Sequence, residues 1–260
     1  MDLGVRGKTA LVLGAGGGLG SAIAKALALE GVRVALAGRS SWSVQRTCDD
    51  IVASGGEALP LVWDLAGLSA IDAHVGAIEA KFGLVDILVN NSGGPPSTPA
   101  SGQYPECWSK HFQSMVLSII AITDRVLPGM RSKKWGRVIT SSSSGVVAPI
   151  SNLGISNALR LSLVGWSKTL AREVGRDGIT VNIVLPGRIA TPRIAFLDEQ
   201  KANREGRPVE QIAAESMNVI ALSRYGEPEE YGDTVALASQ RASYMTGSVI
   251  RIDGGLITSN

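Results

Sequence analysis

The chain has 260 residues and a formal net charge of +2, with 45% hydrophobic and 18% charged residues. This composition belongs to a folded globular protein and excludes a disordered chain. The near-neutral balance excludes bulk charge as a reason for nucleic-acid or anionic-membrane binding.

Seven short, mostly apolar runs predict strands at 9–13, 32–37, 58–62, 87–90, 137–140, 180–185 and 248–252. Runs apolar on nearly every residue suit strands covered on both faces. Between them the spacing turns helical. Leu19, Ala22, Ile23, Ala26 and Leu27 recur at one helix face, as do Ile71, Val75 and Ile78. A helix is expected over 107–130 and another over 153–174. The alternation predicts an α/β fold: a single doubly wound Rossmann domain over 1–260, with a seven-stranded parallel sheet and helices on both faces. The long polar interruption at 190–226 has its own helical pattern and is expected to form a substrate-covering lobe. Cys48 and Cys107 form no CxxC pair, and no metal site is expected. No apolar leader is seen at 1–8, and no run is long enough to span a bilayer, so the expected compartment is the cytoplasm.

The first strand runs into Leu13-Gly14-Ala15-Gly16-Gly17-Gly18-Leu19-Gly20 and then directly into a helix. Gly14 permits a tight turn, Gly18 lets backbone approach a pyrophosphate, and Gly20 lets helix and strand pack closely. The helix N-terminus offers unpaired N–H groups and a positive dipole end. Gly14, Gly16, Gly17, Gly18, Leu19 and Gly20 are therefore candidate cofactor contacts. After the second strand, Arg39 suits a 2′-phosphate because its fork matches phosphate oxygens, and Ser40 can add a hydroxyl donor.

Gly14, Gly18 and Gly20 follow the spacing GxxxGxG, and here the chain resembles the short-chain dehydrogenase/reductase family. The resemblance extends over nearly all of the chain. Asp64-Leu65 stands where the family meets adenine, Asn90-Asn91-Ser92-Gly93 at its NNAG segment, and Pro186-Gly187 with Ile189 and Thr191 at its PGxxxT segment. Tyr244-Met245-Thr246-Gly247 and Asp253-Gly254-Gly255 match its C-terminal motifs. The chain looks most like the β-ketoacyl carrier-protein reductases. The resemblance implies NADP rather than NAD, because Gly38 replaces the Asp of NAD binders; the second basic residue common in NADP members is here Gly17. It also implies cofactor contacts from Asp64, Leu65, Asn90, Ser92, Gly93, Arg160, Pro186, Gly187, Ile189 and Thr191, and a carbonyl or alcohol as substrate.

The family's chemistry rests on Asn, Ser, Tyr and Lys, and three of those positions differ. Ser143 fits the Ser, but Ser156 stands at the Tyr, Arg160 at the Lys and Met115 at the Asn. Ser156 and Arg160 keep the i, i+4 spacing of one helix face. An aliphatic hydroxyl is a far weaker acid than a phenol, and arginine stays charged. Tyr104 is a candidate replacement acid; His111 reads as a helix-surface histidine, and His74 as surface.

The expectation is an NADP-dependent, 3-oxoacyl-thioester-reductase-like enzyme with an altered proton relay, whose catalytic candidates are Ser143, Ser156 and Arg160. The alternative is an NADP-binding sensor or partner subunit with little turnover. Halohydrin dehalogenases, which resemble the family with Arg at the Lys position, keep the Tyr and lose the glycine loop; this chain does the reverse. A homodimer or homotetramer is expected, because 107–130 and 153–174 are apolar over more than one face.

Overall fold

The computed structural model describes residues 2–258. Its seven strands are β1 (Thr9–Leu13), β2 (Arg33–Gly38), β3 (Ala58–Val62), β4 (Ile87–Asn91), β5 (Gly136–Ser141), β6 (Ile179–Pro186) and β7 (Val249–Ile252). They form one sheet in the order β3-β2-β1-β4-β5-β6-β7, with every pairing parallel. All seven expected strands are present, with ends shifted by a residue where main-chain pairing, rather than hydrophobicity, sets the limit.

The period-2 alternation of each strand divides the core into two layers. Ala10, Val12, Val34, Leu36, Ile87 and Val89 face one layer. There they meet Ile23 and Leu27 of α1 (Gly18–Leu29) and Val44 and Ile51 of α2 (Ser41–Ala53). Leu11, Leu13, Leu88, Val138 and Val181 face the other layer. Its helices are α3 (Ile71–Phe82), α5 (Ser118–Lys133) and α6 (Gly154–Val174). The inner strands β1, β2, β4, β5 and β6 are therefore covered on both sides, which explains why their sequences are mostly apolar, while β3 and β7 at the edges are only partly buried.

The expected helix over 107–130 is made of three parts. α4 (Pro105–Phe112) passes through a π-helical turn, Gln113–Leu117, into α5. Hydrophobic spacing does not reveal a one-residue bulge, because the helix face recovers one turn later; such bulges are frequent at functional sites. Within 190–226 lie α7 (Pro192–Glu205) and α8 (Val209–Asn218). Thr191 caps α7 by accepting from Ile194 N at 3.4 Å, Pro192 occupies the first helical position, and Gly206 ends the helix at φ +64°. Buried Asp198 accepts from Arg188 at 2.6 Å and from Tyr225 Oη at 2.7 Å, tying α7 to the segment after β6.

Both cysteines are free. Among the described residues no helix is long and apolar enough to cross a membrane, and no cluster of His, Cys, Asp and Glu has the makings of a metal site.

Candidate active site

Because the strands are parallel, their carboxyl ends share one edge. The loops leaving that edge line a cleft of about 1260 Å³. The chain reverses direction across the sheet between β1 and β4, and a crevice opens where connections diverge in this way.

The glycine loop forms one wall. Gly14 sits at φ +62°, and a Cβ there would lie 2.5 Å from Asn91 O; a Cβ on Gly20 would overlap the Gly14 carbonyl. These two glycines are required by close packing. Gly17, by contrast, has nothing within 4 Å of its Cβ position and lines the cleft with Gly18 and Leu19. Gly17 is also the N-cap of α1 and has no side chain to satisfy the first helical N–H groups. Open donors, a positive dipole end and free space fit the diphosphate of a dinucleotide. Gly16 lies outside this wall, because its Cβ position falls 2.5 Å from Ser43 Oγ of α2.

Arg39 is exposed on the cleft lining past the end of β2. Ser40 does not join it. Its hydroxyl caps α2, accepting from Ser43 N at 3.3 Å, and it lies off the lining. Asp64 and Leu65 line the cleft after β3, with Asp64 accepting from Ala66 N at 3.1 Å. Next to them is buried Trp63, on which His74 stacks at 4.6 Å. His74 is therefore half-buried rather than a surface side chain, and burial pulls its pKa below the ordinary histidine value.

At β4 the neighbour of an expected contact takes its place. Asn90 is fully buried beneath the cleft, with Nδ2 3.4 Å from Thr123 Oγ1 and Thr140 Oγ1. Successive strand residues point to opposite faces, so it is Asn91 that reaches the cleft, donating to Leu13 O at 3.2 Å. Ser92 and Gly93 follow on the lining. Among the described residues the buried hydroxyls of Ser92 and of Ser142, two residues of the lining, have no partner. Pro186, Gly187, Ile189 and Thr191 are also on the lining, Thr191 lying 3.5 Å from the Cβ position of Gly18.

Ser143, Ser156 and Arg160 all line the same cleft. Ser143 Oγ accepts from Gly145 N at 3.1 Å, which leaves its proton free to donate. Arg160 is buried. Its guanidinium donates to Ser92 O at 2.9 Å and lies 3.4 Å from Ser142 O. Burial, and then the charge of Arg193, lower its pKa to about 10, so it remains charged at pH 7. Met115, buried on the π-helical turn, brings an apolar thioether to the lining.

Among the described residues no tyrosine lines the cleft. Tyr104 precedes α4 with its side chain in solvent, 78% exposed, and so does not serve as the replacement acid. Buried Tyr231 pairs with Ser141 Oγ at 2.9 Å, but burial raises its pKa above that of a free phenol, making it a poorer acid. His111 departs from the surface reading: it is half-buried and lines the cleft. Burial, and then Lys110, depress its pKa, so the imidazole is neutral at pH 7.

The cleft also draws in Trp63, Asn91, Gly94, Lys110, Ser142 and Arg193, none of which is among the contacts expected from the sequence. Arg193 stood two residues past a recognised motif threonine, and Asn91 beside a recognised asparagine. Those adjacencies were the available signal.

A family model described as enoyl-(acyl carrier protein) reductase matches residues 14–257. The 3-oxoacyl-[acyl-carrier-protein] reductase FabG of Escherichia coli is 36% identical over 254 residues, covering 96% of this chain and 97% of the relative. The L-sorbose reductase of Gluconobacter frateurii, solved with NADPH and L-sorbose, superposes with a TM-score of 0.94 at 30% identity over the full length of both chains. An actinorhodin polyketide ketoreductase solved with NADPH superposes at 0.92, with 30% identity, over 96% of this chain and 97% of that one.

Proposed function

The chain belongs to the short-chain dehydrogenase/reductase family, and from that premise we propose an NADP-dependent oxidoreductase that acts on carbonyl or alcohol substrates through an altered proton relay. The observation that carries the proposal is the cleft at the β1/β4 divergence, with an uncapped helix N-terminus at Gly17 and the exposed basic fork of Arg39.

In this reading Gly17, Gly18 and Leu19 hold the diphosphate, Arg39 the 2′-phosphate, and Asp64 and Leu65 the adenine end. Asn91, Ser92, Gly93, Arg160, Pro186, Gly187, Ile189 and Thr191 hold the nicotinamide end, with Asn90 supporting β4 from below. When bound, NADPH supplies the hydride. Ser143 donates a hydrogen bond to the carbonyl oxygen, and Arg160 places a fixed positive charge where negative charge develops. Ser156 adds a hydroxyl but no acid matched to neutral pH, so water supplies the final proton and turnover is slow. The whole of 1–260 acts as one dinucleotide-binding unit, with 190–226 covering the substrate, in the cytoplasm.

NADPH titration followed by stopped-flow mixing with a ketone panel tests this. The expected result is micromolar binding and slow NADPH consumption above the solvent background. Failure of both NADPH and NADH to bind overturns it. Tight binding with zero consumption across the panel selects the second reading, a nucleotide-binding subunit, which the lack of a phenol in the cleft favours.

The same reading includes a homo-oligomer. Ile119 and Ile122 are spent on the core, but Phe112, Leu117 and Leu161 remain exposed on α4, the π-helical turn and α6. Apolar side chains on adjoining helices suit a two-fold interface. Light scattering at micromolar protein is expected to give two or four times the 27.1 kDa chain mass; a monomer mass alone would refute the assembly.

A further inference from the structure

Two guanidiniums meet in the cleft, and the nucleotide cradle uses only one of them, Arg160. A Cβ added to Gly94 would stand 3.2 Å from Arg193 Nη2 and 3.7 Å from Arg160 Nη2. Gly94 lines the cleft and carries no side chain, so the space between the two forks and the opening is clear. The hydrogen bonds of each arginine go to backbone carbonyls, Arg193 to Pro95 O at 2.7 Å and Arg160 to Ser92 O at 2.9 Å, and Arg193 also lies over the Phe196 ring. Among the described residues neither forms an ion pair, although twelve such pairs occur elsewhere.

The other charges on the lining do not neutralise them. Glu215 is held by Arg207, and Arg188 is held by Asp198. Asp64 stands at the far end, beside β3. Lys110 adds a further positive charge. Two cations brought together and partly desolvated repel each other, and their side chains are not placed this way for stability alone. The burden is relieved when an anion arrives between them, and a planar carboxylate matches two planar forks.

We propose that Arg160 and Arg193, converging over Gly94, form a carboxylate site, and that the carbonyl substrate is therefore a keto acid. This rests on the oxidoreductase reading for the word substrate, but not for the site itself. In the oxidoreductase reading the cofactor's phosphates are held at Gly17 to Leu19 and at Arg39; Thr191, which lies 3.5 Å from the Cβ position of Gly18, is the near neighbour that Arg193 shares with that loop. A single negative charge also suits a cleft that a polyanionic cofactor shares.

Calorimetric titration of the full chain with levulinate and with methyl levulinate, with and without saturating NADPH, tests the site. Levulinate is expected to bind at least tenfold more tightly than its uncharged ester. Arg193→Met keeps the side chain's length and apolar stem; it is expected to bring that ratio close to one while NADPH affinity changes less than twofold. Gly94→Ala, which sets a methyl group against Arg193 Nη2, is expected to weaken levulinate and leave the melting temperature unchanged. Equal affinity for acid and ester in the native chain overturns the proposal. So does a loss of NADPH affinity in Arg193→Met as large as the loss for levulinate, since Arg193 would then serve the cofactor. Absence of NADPH binding would fail the oxidoreductase reading alone, because the nucleotide-free titration still decides the carboxylate site.

Discussion

The double variant Ser156→Tyr/Arg160→Lys is expected to reduce methyl levulinate at least about tenfold faster than the native chain, a floor set below the roughly 10²–10⁴-fold that general acid catalysis contributes. The substituted positions lie one helical turn apart on α6, and both line the cleft. A cleft of about 1260 Å³ has room for the added ring. The ammonium lowers the phenol's pKa from its ordinary value of about 10, so the acid acts nearer neutral pH. Each single variant is expected to fall well short of the pair, because a phenol without its cation is too weak an acid and an ammonium without the phenol has no proton to direct. The pH profile provides a second readout. Reduction by the double variant falls as pH rises through the introduced phenol's pKa, whereas the native chain has no tyrosine on the cleft to impose that limb. An uncharged ketone is the right probe, since Arg160→Lys alters the proposed carboxylate site. A native chain that already turns over tens of times per second would mean that another group is the acid; His111, on the lining, would be the first to replace by Ala. A double variant that binds NADPH yet stays inert would favour the non-catalytic reading.

Arg39→Ala is expected to weaken NADPH binding by about tenfold or more and to leave NADH almost unchanged. A hydrogen bond to a charged group contributes about 1.5–3 kcal/mol, and each 1.4 kcal/mol is a factor of about ten. Arg39 is exposed, so the contact is partly screened and the preference should shrink with added salt. The structure also explains why an acidic residue at Gly38 is not a simple route to NAD. A Cβ there would lie 2.6 Å from Val44 Cγ2, so α2 packs where the side chain would begin. Gly38→Asp combined with Val44→Ala relieves that contact and is the variant in which to seek NADH preference. Fluorescence titration with both nucleotides measures the ratio; equal native affinities would remove Arg39 from the phosphate site.

What the chain alone determined is local or periodic. Seven apolar runs marked seven strands, because strands covered on both faces must be apolar along their length. The glycine spacing marked the turn into α1, because only glycine tolerates the close approach of Gly14 to Asn91 and of Gly20 to Gly14. The divergence of Ser156 and Arg160 was equally legible, since it is a matter of residue identity at known spacing. Tertiary structure decided which side chains share a space. Asn90 and Asn91 are chemically identical, and only the sheet face separates a buried strut from a cleft residue. Tyr104 looked like a candidate acid and His111 like a surface histidine, and packing left the first in solvent and brought the second to the cleft. Arg160 and Arg193 come from α6 and α7, on either side of β6, and meet only because parallel strands deliver their following loops to one edge. Side-chain convergence of that kind depends on contacts between distant segments, and no periodicity along the chain encodes it.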